Sequence, residues 1–185
     1  MRTKLHHLQR DEQGLAYLEF ALALPFLLAL LMGSIEVTRY ILIAQKLEKT
    51  SVTISDLVAQ SSAASISSLD QISLAAGQVM NPYSFTDQGY VIISSVTKSG
   101  TLPPKVIWQY KGAGTWTQNS QVGSPNLTAS LPAGFVMADK ENVIVTEVFY
   151  RFSPLLTGSV LPLASMYKIA VFRPRLGELT TLSPS

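Results

Sequence analysis

The chain has 185 residues, the size of one ordinary domain, and no cysteine, which removes disulfides, thiolate nucleophiles and Cys-type zinc or iron centres. Charged residues make up 14% of it, apolar residues 47%, and mean hydropathy is +0.26, a composition unlike that of a disordered chain. Fourteen basic and 12 acidic residues leave a net charge of +2, so no domain-wide field exists to hold a phosphate backbone and no nucleic acid is expected as a partner.

The apolar surplus is concentrated near the start. Residues Leu15 to Ile35 read LAYLEFALALPFLLALLMGSI, with Glu19 as the only charge. A helix rising about 1.5 Å per residue covers about 30 Å over this stretch, the thickness of a hydrocarbon core. One membrane crossing is expected, in contact with membrane lipid. No A-x-A-like exit follows, and the run is longer than a secretory h-region, so the segment is expected to be retained. Arg2, Lys4 and Arg10 in the leader favour a cytoplasmic N-terminus, whereas Arg39, Lys46 and Lys49 beyond the span oppose it. The leader and the size of the C-terminal part together place the N-terminus inside and the rest outside.

From Tyr40 to Gln60 there is neither Pro nor Gly, and Ile43, Leu47, Ile54, Leu57 and Val58 recur near helical spacing. The span is therefore expected to continue as one helix to about residue 60, a rod of about 70 Å. Its β-branched Thr50, Val52, Thr53 and Ile54 weaken the later turns, so tertiary packing must support them. Residues 61–68 read as a break. Ser68 with Gln71 fits a capping box, and Asp70 could itself cap, which predicts a short helix from about Leu69 to Met80, stopped by Asn81-Pro82.

Beyond Pro82 the texture becomes that of β-structure. Tyr90–Thr97 and Val106–Tyr110 form a predicted hairpin through Ser-Gly-Thr-Leu-Pro-Pro, and residues 112–134 form a Gly-, Ser-, Asn- and Pro-rich loop. Asn142–Phe152 is the strongest predicted strand and Tyr167–Arg173 the last. Four strands without intervening helices predict an antiparallel sheet that covers one face by packing on the long helix. The expected fold class is α+β, organised as a leader (1–14), a transmembrane helix (15–35), its extramembrane continuation (36–60) and an extracytoplasmic domain (61–185).

Glu19 needs an explanation, because a carboxylate in an apolar span costs about 2.5–3.5 kcal/mol on translocon scales. In one reading it snorkels to the cytoplasmic interface and stabilises its own helix N-terminus. The other reading rests on its neighbours: Asp11-Glu12-Gln13-Gly14, then Leu15, then Glu19-Phe20, Pro25 in the apolar run, and Gly33-Ser-Ile-Glu36-Val-Thr-Arg39 at its exit. A basic leader, a Gly, four residues, a Glu-Phe pair and an apolar span resemble the prepilin-peptidase site of type IV pilins. More closely, the segment resembles the TadE/TadG family of pseudopilin-like proteins of the Tad, or Flp, pilus apparatus. Glu147-Val-Phe-Tyr150-Arg-Phe-Ser-Pro154 and Arg173-Pro174-Arg175 also look like the family's last strands, whereas residues 62–140 match no motif.

The resemblance implies a minor pilin-like or pseudopilin subunit that serves pilus assembly or initiation, and through it adhesion or biofilm formation. A prepilin peptidase would cut after Gly14 on the cytoplasmic side of the bacterial inner membrane and leave Leu15 as the N-terminus. Gly14 has no Cβ, which suits an extended backbone in a protease cleft. Glu19 would then neutralise the new ammonium of a neighbouring subunit and set the helix register. The implied partners are the peptidase, other pilin or pseudopilin subunits and the Tad inner-membrane platform. The alternative is an unprocessed, single-pass scaffold or binding module of an envelope complex, in which Glu19 is incidental.

Pro25 removes one helical hydrogen bond and kinks or loosens the span, unless the membrane helix simply tolerates it. Glu36 and Arg39 read as an i, i+3 pair at the outer interface, with surface pairing as the default. Arg151, Arg173 and Arg175 read as solvated edge charges, and Trp108 and Trp116 as packing residues. Catalysis is not expected. Both histidines, His6 and His7, lie in the leader, the carboxylates are scattered, and no P-loop, G-x-S-x-G or dinucleotide fingerprint occurs. Neither a cofactor nor a metal nor a small-molecule substrate is expected.

Overall fold

The structure is a computed structural model that describes residues 12–155 and 164–184. Helix α1 runs from Glu12 to Ala59, 48 residues without interruption, as the absence of Pro and Gly beyond the span predicts. At about 1.5 Å per residue it is about 72 Å long. Its two halves differ in what they touch. The apolar half is exposed around its circumference and is long and apolar enough to cross a membrane, with none of its most hydropathic window buried. The second half turns one face to the protein through Glu36, Ile43, Leu47, Thr50, Ser51, Ile54, Ser55, Val58 and Ala59, at intervals of three, four or seven residues and their neighbours. Leu57, expected on this face, lies off it and is exposed.

Three small hydroxyl residues sit on the buried face, and two satisfy themselves within the helix. Thr50 donates to the Lys46 carbonyl at 2.8 Å and Ser51 to that of Glu48 at 2.8 Å. Ser55 instead donates across to the Ala170 carbonyl of the last long strand at 3.3 Å. Small side chains bring the helix close to the sheet, and the packing supplies the support that its β-branched turns need.

Helix α2 spans Ile66–Met80 and presents Leu69, Ser73, Ala76 and Met80 inward. It begins three residues before the predicted Leu69. The cap is Ser65, extended at φ −125°, ψ 152°, whose Oγ accepts the Ser68 amide at 3.2 Å; neither Ser68 nor Asp70 plays that part. The reason lies at the other end of the chain. Strand β1 (Ala64–Ser65) pairs in parallel with β6 (Leu182–Ser183), which holds the capping residue in the extended conformation a cap requires.

The four-stranded sheet is antiparallel throughout, ordered β3-β2-β4-β5, with β2 at Gly89–Thr97, β3 at Lys105–Lys111, β4 at Asn142–Phe152 and β5 at Ala164–Phe172. The central strands β2 and β4 are buried on both faces, which explains their almost unbroken apolar sequences. Ile93, Trp108, Ile144, Val148, Tyr150 and Phe152 meet Ile43, Leu47 and Ile54 of α1 and Leu69 and Met80 of α2 in the main core. The opposite face, for which the sequence suggested no cover, is not bare. The long segment from Gly112 to Glu141 covers it, burying Val122, Ala129 and Met137 against Val96, Val106, Val143 and Val145.

The tail after β5 is also part of the fold. Leu179 is buried, its amide donates to Asn142 Oδ1 at 2.9 Å, and its carbonyl accepts from Ser95 at 2.7 Å and Trp108 Nε1 at 2.8 Å. Arg175 reaches α1, its amide donating to the Ala59 carbonyl at 2.8 Å and its guanidinium pairing with Asp56. Arg173 pairs with Glu141, and Arg151 donates to Gln88 at 3.2 Å while standing 5.9 Å from the Trp116 ring. These three arginines are therefore partnered, although Arg173 and Arg175 keep more than half of their side-chain surface in solvent.

Candidate functional site

The sequence-derived site residues fall into an exposed helix segment and a buried joint. Gly14 is helical, within the first turn of α1. Cutting after it therefore requires that turn to unwind. The basic and histidine residues of the leader lie outside the described residues. Leu15 and Phe20 are exposed at 57% and 59%. Glu19 is exposed on the same face of the helix as Leu15, one turn on, and has no ion-pair partner among the described residues. Pro25 lies inside the helix, which remains α-helical on both sides of it.

The buried joint begins where the apolar segment ends. Glu36 is only 2% exposed, so its carboxylate is not the solvated surface charge expected from its i, i+3 spacing. It accepts from Arg39 Nη1 at 3.1 Å and from the backbone amide of Leu155, just past the end of β4. Arg39 lies 5.8 Å from the centre of the Phe152 ring, and Tyr40 meets the same ring edge-on at 5.3 Å. One turn of α1 thus clamps the last residue of β4 at the end of the domain nearest the apolar half of the helix. Charge-assisted bonds to a carboxylate are the stronger kind, and burial denies them competition from water.

A second buried carboxylate lies on the far side of the sheet. Glu147, on central strand β4 and fully buried, accepts from the hydroxyl of Ser120, from the amides of Gln121 at 2.7 Å and Val122 at 3.3 Å, and from Tyr167 Oη at 3.0 Å. It holds the long covering segment onto the sheet. Burial pushes the Tyr167 hydroxyl's pKa up, and the neighbouring Glu147 charge adds to the shift, so Tyr167 stays a donor at any physiological pH. On the helix side, burial and a bond to Asp70 push Tyr110 up to about 12.

Two concavities accompany these features. An open groove of about 470 Å³ runs between Glu48 and Val52 of α1 and the edge strand β5, bridged by a Lys168–Glu48 pair at 3.0 Å. A smaller recess of about 310 Å³ lies where the covering segment leaves β3. Among the described residues, no three His, Asp or Glu side chains converge as a metal centre requires.

Residues 14–51 match the family model described as TadE-like protein. The matched stretch contains Gly14, Glu19, Phe20, Pro25 and the Glu36–Arg39 clamp, and stops in the middle of the buried half of α1. The likeness to that family lies in this segment of the chain. No curated protein and no solved structure matches the chain.

Proposed function

From this TadE-like segment we propose that the protein is a pseudopilin or minor pilin-like subunit used in the assembly or initiation of Tad (Flp) pili. It sits in the bacterial inner membrane with its N-terminus in the cytoplasm and its sheet domain outside. A prepilin peptidase cuts after Gly14 and leaves Leu15 with a free ammonium, four residues from Glu19. In the membrane Glu19 pairs with that ammonium on a neighbouring pilin or pseudopilin, and the assembly platform moves the subunits past one another. The observation that carries this reading is an apolar helix segment exposed around its circumference among the described residues, bearing one carboxylate five residues after a glycine. An exposed apolar helix of this length is a surface for other helices or lipid, and a carboxylate in hydrocarbon favours a cationic partner.

Intact mass or N-terminal sequencing of the protein extracted from membranes tests the reading. A start at Leu15 is expected. An intact Met1, or a cut beyond residue 33, rejects processing and leaves a permanently anchored scaffold or binding module, which the helical state of Gly14 favours. Full filament incorporation of a Glu19→Ala variant rejects the assembly role of Glu19.

A further inference from the structure

The recess on the covered face is lined by Tyr90 of β2, Lys111 at the end of β3, and Thr117, Gln118 and Asn119 of the covering segment. No carboxylate lines it. Among the described residues, the side chains of Lys111, Thr117, Gln118 and Asn119 form no hydrogen bond or ion pair within the protein, and neither does the Tyr90 hydroxyl. Five residues with polar side chains thus line one hollow, and Lys111, Thr117 and Asn119 among them are exposed to a ligand from solvent.

The hollow is also built. Before it, the Thr115 amide donates to the Thr86 carbonyl at 2.8 Å and that of Trp116 to Gly89 at 3.4 Å. Gly114, at φ +99°, crosses β2 so closely that a Cβ there would lie 2.1 Å from the Gly89 oxygen, which only glycine permits. After it, Ser120, Gln121 and Val122 are tied to the buried Glu147 carboxylate. Residues 117–119 are therefore held at both ends, so a ligand would meet a surface whose ordering cost has already been met in folding.

We propose that this recess binds a hexuronate, a six-membered sugar ring carrying one carboxylate. The single ammonium of Lys111 matches a monoanion, whereas a phosphate dianion would keep an uncompensated charge. Gln118 and Asn119 each offer donors and an acceptor, and the Thr117 and Tyr90 hydroxyls do both, which is the capacity needed to meet neighbouring ring hydroxyls. The volume of about 310 Å³ falls at the small end of ligand sites, suited to one sugar ring. The Trp116 face is shared with Arg151, so recognition rests on polar groups rather than on ring stacking. The proposal is independent of processing at Gly14 and concerns binding, not turnover.

The test is saturation-transfer NMR and calorimetry on the full chain in detergent micelles, with D-glucuronate and D-galacturonate as probes and D-galactose and acetate as controls. Saturable binding of either uronate is expected, at least about fivefold tighter than galactose or acetate. Lys111→Met should weaken it by about tenfold, the loss of one charge-assisted contact. Asn119→Ala, at an exposed loop position, serves as the second variant and should also weaken binding, with unchanged tryptophan fluorescence confirming the fold of both. The proposal is overturned by no saturable uronate binding up to about 50 mM, by galactose or acetate binding within fivefold of the uronates, or by a Lys111→Met effect below about threefold.

Discussion

Replacing Glu36 by Ala removes the acceptor for at least two donors, Arg39 and the Leu155 amide. The Leu155 amide loses its partner in a part-buried setting, at a cost of about 1–3 kcal/mol. Arg39 keeps 25% of its side-chain surface in solvent and can turn toward water, so its loss is nearer that of an exposed pair, about 0.5–1 kcal/mol. The sum predicts a destabilisation of about 1.5–4 kcal/mol for Glu36→Ala, against about 1 kcal/mol for Arg39→Met, which keeps much of the apolar stem against Phe152. Urea unfolding of the protein in micelles, followed by the fluorescence of buried Trp108, measures both. Glu19→Ala is the control. Glu19 is exposed and pairs with no charge among the described residues, so its removal should change domain stability by less than about 0.5 kcal/mol even where filament incorporation is lost. A Glu36→Ala effect below about 0.5 kcal/mol, or a Glu19→Ala effect as large as that of Glu36→Ala, would refute the division of labour between the two carboxylates.

Glu147→Gln should destabilise by about 2 kcal/mol, because the amide nitrogen of Gln presents a donor to groups that themselves donate. Amide exchange at Gln121 and Val122 should accelerate more than exchange in β3, and uniform acceleration would contradict a local tie. The bond from Arg173 holds the Glu141 carboxyl below its ordinary range, with burial opposing and the Ala138 amide assisting. A carboxylate whose folded pKa is depressed contributes stability above its unfolded pKa and loses it as pH falls through the folded one. The melting temperature should therefore fall as the pH drops below about 4.5, and Arg173→Met should make that fall shallower; an unchanged slope would count against the pair.

The elements that could be read from sequence are those whose pattern is local. Asn142–Phe152 alternates little and is β-branched or aromatic almost throughout, and the strand forms over those residues. The long helix follows from the absence of breakers between Tyr40 and Ala59. What escaped reading depends on distant partners. Ser65 caps α2 because residues 182–183 hold it extended, and nothing near Ser65 announces that pairing. Val122, Ala129 and Met137 point inward from an irregular segment with neither helical nor strand period, so the second covered face left no periodic trace. At Glu36 the spacing to Arg39 was visible, but its burial depends on Leu155, 119 residues away. Gly14, Glu19 and Phe20 stand within one short stretch of sequence, whereas the five residues of the recess come from two strands and a loop and leave no local pattern.

The unbroken α1 and the clamp at Glu36 together set a phase. Glu19 and Glu36 are 17 residues apart on one helix, about 25 Å along its axis and about 100° apart around it, at 100° per residue. Because the clamp fastens Glu36 to the end of β4, the direction in which Glu19 points is fixed relative to the sheet. A neighbour that engages Glu19 within the membrane therefore also determines which side of the outer domain faces it. Inserting one residue between the two carboxylates would swing the domain by about 100° and turn a different face toward that neighbour.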